Sequence, residues 1–204
     1  MLRLAAACSC LLASACATRA LVHGQGGYRP ADAPYRIAPL PDGSLMPSSW
    51  HLANYEAHDG VLRLKDRTDV TDIDFTRDGD DGVLWVYTHE LSGRERKQEL
   101  KELVNLSIAD MRNPVWDGRN FYLGTRFQEV RQALKEPVPG CEAIDLVADA
   151  RVNGVATYTS RLYVLWMRPK DHETMTMIVF QSPIETFAPA VNDVLGLVER
   201  WSCP

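Results

Sequence analysis

The sequence predicts an α+β fold: an antiparallel sheet with two main amphipathic helices packed against it, an α/β sandwich. Three observations carry that prediction. Apolar, β-branched runs recur between Trp50 and Thr88 and again between Ile144 and Gln181. Capping residues at Ser92 and Ser182 each open a run with helical periodicity. An Asn153-Gly154 pair between two long extended runs marks an antiparallel hairpin.

In chain order, Trp50 to Glu56 and Gly60 to Leu64 read as strands around a His58-Asp59-Gly60 turn, and Val70 to Phe75 and Val83 to Thr88 follow. Ser92 and Glu95 form a capping box ahead of a helix with Leu100, Leu103, Val104, Ser107, Ile108 and Met111 on one stripe. Asn113-Pro114 stops it, because the residue before proline is pushed out of the helical region. A shorter helix is predicted from Phe127 to about Lys135, capped by Thr125 and closed by Pro137, Pro139 and Gly140. Ile144 to Arg151 alternates as a strand, Val155 to Met167 returns, and Thr174 to Gln181 places Met175, Met177 and Val179 on one face. Ser182, Pro183 and Glu185 then open a helix with the stripe Phe187, Val191, Val194, Leu195, Val198 and Trp201.

Ahead of this domain lie two segments of different character. Leu4 to Ala15 is an uncharged, mostly apolar run behind Arg3. It is too short to span a bilayer, which takes about 20 residues, and it matches a signal peptide over residues 1–15. Ala13-Ser14-Ala15 suits ordinary signal peptidase; with Cys16 behind it, the same stretch resembles a bacterial lipobox that would place lipid on Cys16. A lipobox usually has Leu where this chain has Ala13. Both readings, lipidation and plain secretion, imply export. With Ala17 behind a lipidated Cys16, rather than the Asp that often retains lipoproteins in the inner membrane, the expectation is an outer-membrane lipoprotein facing the periplasm. Residues 16–45, rich in Gly and Pro, read as a flexible tether of roughly 30 Å reach, with Tyr35-Arg36-Ile37 adding a short edge strand. The folded domain is then 46–204.

Cysteine usage agrees with export. Cys8 and Cys10 leave with the signal, and lipid on Cys16 leaves Cys141 and Cys203 as an even pair for a disulfide. The net charge of −5, from 22 basic and 27 acidic residues, opposes a nucleic-acid surface and broad contact with anionic lipid.

The chemistry-bearing candidates are sparse. Asp74, Thr76, Asp78 and Gly79 fit the first half of a calcium loop, but its closing glutamate position is Trp85, so the segment reads as a turn joining two strands. Five scattered histidines and distant cysteines lack metal-site spacing, the early glycines lack the strand and helix of a phosphate loop, and no Gly-x-Ser-x-Gly elbow is present. The expectation is no catalytic residue, no metal and no cofactor. Trp85, Tyr158, Tyr163 and Trp166 could form an aromatic platform for a glycan, peptide or lipid, although Tyr163 and Trp166 have opposite parity and so cannot both face the helices.

Pro47-x-x-Trp50, the early strands, the mid-chain helix, the antiparallel strands and the closing Phe187-x-x-x-Val191-x-x-Val194-Leu195 helix resemble the PsbP-like family over Met46 to Trp201. Where that family often closes with Ser-Phe, this chain has Arg200-Trp201. The resemblance implies a non-enzymatic domain that binds or stabilises other proteins, here an envelope partner. A periplasmic small-molecule or lipid carrier and, behind it, a hydrolase are the other readings.

Overall fold

The computed structural model describes residues 20–203 apart from 25–26, 31–32, 54, 59–60, 65–71, 112–127, 131–137, 151–156 and 171–172. Its strands are β1 Ala20–Gly24, β2 Gly27–Pro30, β3 Arg36–Ile37, β4 Trp50–Leu52, β5 Tyr55–His58, β6 Val61–Leu64, β7 Ile73–Arg77 and β8 Val83–Glu90, followed by β9 Gln128–Val130, β10 Cys141–Ala150, β11 Ser160–Pro169, β12 Thr174–Pro183 and β13 Trp201–Ser202. The helices are α1 Leu100–Met111 and α2 Ile184–Glu199. A seven-stranded sheet runs β4-β7-β8-β12-β11-β10-β9, and a six-stranded sheet runs β13-β3-β2-β1-β6-β5. Every pairing is antiparallel. The α+β class predicted above is the one found. No helix among the described residues is long and apolar enough to cross a membrane.

The large sheet is covered on both faces, and strand alternation shows how. Along β11, Tyr163, Leu165 and Met167 join a core with Phe187, Val191 and Val194 of α2, while Leu162, Val164 and Trp166 join a second core with Leu100, Leu103 and Val104 of α1. Strand β12 divides the same way: Ile178 and Phe180 face α2, and Met175, Met177 and Val179 share the α1 face as their spacing predicts. Tyr163 and Trp166 therefore do point opposite ways. The expectation that only one could face a helix fails, because each face has its own.

The capping box is built as read: Ser92 N donates to Glu95 Oε2 at 2.8 Å and Glu95 N to Ser92 Oγ at 3.4 Å. It opens a 3-10 turn, Glu95–Lys97, before α1 begins at Leu100. Ser182 does not cap α2. It is fully buried at the end of β12, its hydroxyl donates to the Pro183 carbonyl, and Pro183 itself is the N-cap. The ladder to β11 continues through Pro183, so the turn of chain needed for a serine cap never occurs. Trp201, placed by periodicity on the α2 stripe, lies beyond the helix in β13.

Three further expectations change. Residues 16–45 are not a tether throughout: β1, β2 and β3 lie within the small sheet, and Tyr35, Ile37 and Leu45 are buried in the α2-side core. Strand β3 is interior, between β13 and β2, rather than an edge. Short strands broken by Gly and Pro carry no local period, so only their distant partners reveal them. Where a helix was predicted from Phe127, residues 128–130 form edge strand β9 on β10, whose pairing outweighs a weak local helical pattern. The Asn153-Gly154 turn lies outside the described residues, but the β10–β11 register sets Ala150 against Ser160.

Candidate functional site

The four aromatic residues of the expected platform do not converge. Trp166 and Tyr163 are buried in the two opposite cores, Trp85 is half-buried against the α1-side core, and Tyr158 is half-buried just ahead of β11. Trp166 Nε1 donates to Ser107 Oγ at 3.0 Å, which makes it a fixed part of the α1 packing. Burial, with Asp145 adding to it, pushes the Tyr163 hydroxyl far above the usual tyrosine range, so it stays protonated in its core.

Two other constellations emerge instead. The first is a corner where β4, the β7–β8 turn and α2 meet. Pro47 to Trp50 is a turn, with Trp50 N donating to the Pro47 carbonyl at 2.9 Å, and it delivers the Trp50 ring beside Phe180 at 5.8 Å. Trp50 Nε1 donates to Asp193 Oδ2 of α2 at 2.9 Å. The Arg77 guanidinium lies 6.0 Å over the Trp50 ring, bonds Asp80, and stands 3.9 Å from the same Asp193 oxygen. The turn itself is the one read from the sequence: Gly79 has φ +79°, Arg77 N donates to Gly82 O, and Gly82 N to Asp80 Oδ1. Outward of this network, His51 Nε2 and Asp78 Oδ2 are 2.6 Å apart, with side chains 57% and 66% exposed. The corner thus presents a polar pair to solvent on a base held by a buried aromatic ring. Among the described residues no group of three His, Cys, Asp or Glu side chains converges as a metal site.

The second constellation is a clasp at the C-terminus. Cys141 and Cys203 form the disulfide foreseen from cysteine arithmetic, with Cα atoms 5.6 Å apart. Gly140, at φ +78°, is needed there, since a Cβ would fall 2.6 Å from the Cys203 carbonyl oxygen. Arg200 donates to Gly196 O, Ala38 O and Leu45 O at 3.0, 2.5 and 2.6 Å, and the Trp201 ring stacks on Tyr35 at 4.2 Å. The Arg200-Trp201 pair therefore locks residues 35–45 to the core. Sequence reasoning noted that pair only as a departure from a family pattern; a charged residue beside Trp after a helix gives no sign of partners 155 and 162 positions away. Trp50 was noted as part of an entry motif, and Asp193 gave no signal at all, because the two meet only in space.

Cys16 and the signal segment lie outside the described residues. No protein-family model matches this chain, and no curated protein matches it. Among solved structures, the chain is similar to cyanobacterial PsbP (CyanoP) from Synechocystis sp. PCC 6803, determined in solution. The two superpose with a TM-score of 0.54 at 12% identity, over 89% of this chain and 95% of that one. The fold is PsbP-like. Residues 46–201 alone cannot supply 89% of the chain, so the likeness reaches into the N-terminal strands as well.

Proposed function

We propose that the chain is an exported envelope lipoprotein, anchored by lipid on Cys16 and facing the periplasm from the outer membrane, whose PsbP-like domain is a non-catalytic binding or assembly module for an envelope protein. The observation that carries this is the Cys141–Cys203 disulfide. It fits an oxidising compartment, and it accounts for both cysteines that follow Cys16 in the sequence. The docking surface we favour is the corner outward of Trp50, where exposed His51 and Asp78 sit on a base fixed by Arg77, Asp80 and Asp193. A rigid base beneath exposed polar groups lowers the ordering cost of a protein contact.

The carrier reading needs a cavity between sheet and helix. On the α2 side that space holds Phe180 stacked on Phe187 at 5.4 Å and against Trp50, which favours the binding module.

Two measurements test the proposal. The intact mass of the mature protein from membranes should carry a diacyl or triacyl increment that Cys16→Ser removes. A photo-crosslinker at position 51 should capture one envelope protein, and Asp78→Arg should abolish that capture while the domain stays folded. Substrate turnover abolished by a point substitution that leaves the fold intact would overturn the non-catalytic reading.

A further inference from the structure

Strand β4 ends the seven-stranded sheet on one side, and its outer edge carries unused backbone groups. The register sets Trp50 against Arg77, His51 against Thr76 and Leu52 against Phe75. Just beyond it, Asp78 N donates to Ser49 O at 2.8 Å and Ala53 N to Asp74 O at 2.7 Å. Backbone bonds of an antiparallel pair recur at every second residue, so Ser49, His51 and Ala53 turn their polar groups toward β7. Trp50 and Leu52 turn theirs away from the sheet. Trp50 N is taken by the Pro47 carbonyl, whereas the Trp50 carbonyl and both backbone groups of Leu52 have no partner among the described residues.

The side chains alternate along the same edge. Trp50 is buried and Leu52 half-buried on the α2 side, against the core that holds Phe75 and Phe180. His51 and Thr76 are exposed on the other side, where His51 meets the exposed carboxylate of Asp78. Between Pro47 and Tyr55 the sequence has no lysine, arginine or further proline, the residues that commonly blunt an exposed edge.

We propose that β4 is a docking edge, on which an extended segment of a partner protein adds as a further strand of the large sheet. This rests on His51 and Asp78 forming the docking corner proposed above, and it fixes how the partner sits there. The Leu52 N–H donates to the added strand, and the Leu52 and Trp50 carbonyls accept from it. The partner residue beside Leu52 is apolar, because it extends the margin of the α2-side core. The residues flanking it lie on the His51 side and are basic, complementing Asp78. A partner helix satisfies its own backbone groups internally and would leave these three unpaired.

The test uses the full mature chain and a capped peptide of alternating valine and lysine, about eight residues long. The Leu52 amide should exchange fast in the free chain and about tenfold more slowly with the peptide bound. Exchange at residues 160–183 should stay unchanged, as a control for folding. Replacing Leu52 by its α-hydroxy analogue keeps the side chain and removes only the N–H, and should weaken binding about fivefold. Asp78→Asn should flatten the salt dependence of binding, and a peptide with glutamate in place of lysine should not bind. Binding that leaves Leu52 exchange unchanged, equal binding by the α-hydroxy chain or by the glutamate peptide, an unaltered salt dependence, or no binding at millimolar peptide would each overturn the proposal. In any of those cases, capture of an envelope protein by the crosslinker at position 51 would leave the docking corner standing, and its absence would remove both.

Discussion

The two faces of the seven-stranded sheet are built from the same strands yet covered differently. On the α2 side, Ile73, Leu84, Val86, Leu165, Ile178 and Phe180 are all buried beneath α2, residues 35–50 and the C-terminal clasp. On the α1 side the centre is as tightly closed, with Leu162, Val164 and Trp166 buried, but Trp85, Tyr87, Ile144, Leu146 and Met177 around them are only half-buried. The reason is geometric. Seven strands at about 4.8 Å spacing present far more width than one helix of about 10 Å diameter can cover. The α2 side recruits residues 35–50 and the Arg200-Trp201 clasp to complete the cover, whereas α1 is supported on the described residues by its own stripe.

That contrast sets a ranking of effects. Phe180→Ala, at the centre of the fully covered side, should lower stability most, by about 3–5 kcal/mol in denaturant unfolding. A loss under about 2 kcal/mol would mean that the α2-side core collapses around the gap and is less rigid than its packing implies. Next, Cys141→Ser with Cys203→Ser should cost about 4 kcal/mol, from a loop closed over a separation of 62 residues. The loss should appear first as faster amide exchange in residues 35–45, because the clasp rather than the sheet would open. Uniform exchange across the domain would instead show that the two regions unfold together.

On the other side, Ser107→Ala should cost about 1–3 kcal/mol, since it leaves the buried Trp166 indole N–H without its acceptor. Trp85→Ala, at the half-covered margin, should cost about 1–2 kcal/mol and be the mildest large-to-small change in either core. An effect at Trp85 as great as at Phe180 would erase the contrast.

The smallest effect concerns the entry to α1. Hydrogen bonds from the Ser92 side chain and backbone hold the Glu95 carboxyl below its usual pKa. A depressed carboxylate stabilises the folded state above its unfolded pKa of 4.5, and that contribution disappears as pH falls through the folded value. Glu95→Gln should therefore flatten the acid limb of the stability profile below about pH 4.5 and leave it unchanged near neutrality. A pH dependence identical to that of the wild type would show the box to be energetically silent.

Much of the architecture was legible along the chain. The strands through Val83–Glu90 and Thr174–Pro183 and the stripe of α1 follow from their periods, because each side chain's burial depends on a repeat visible over a few residues. The disulfide was expected from cysteine counting once Cys16 was assigned to lipid. The candidate site was not: Tyr163 and Trp166 are aromatic in sequence and interior in space, while Trp50, Arg77 and Asp193 come from three separate elements.

What the sequence by itself determined is the α+β class, the long antiparallel strands and the periodicity of both helices. What only the tertiary structure decided is that α1 and α2 take opposite faces, that residues 20–24, 27–30 and 36–37 within the Gly- and Pro-rich segment form strands, and that Arg200 and Trp201 clasp residues 35–45. Local periodicity specifies which side of an element is apolar. Which neighbour covers that side, and whether a short strand without a period finds a partner, depends on contacts across most of the chain, and those exist only once it has folded.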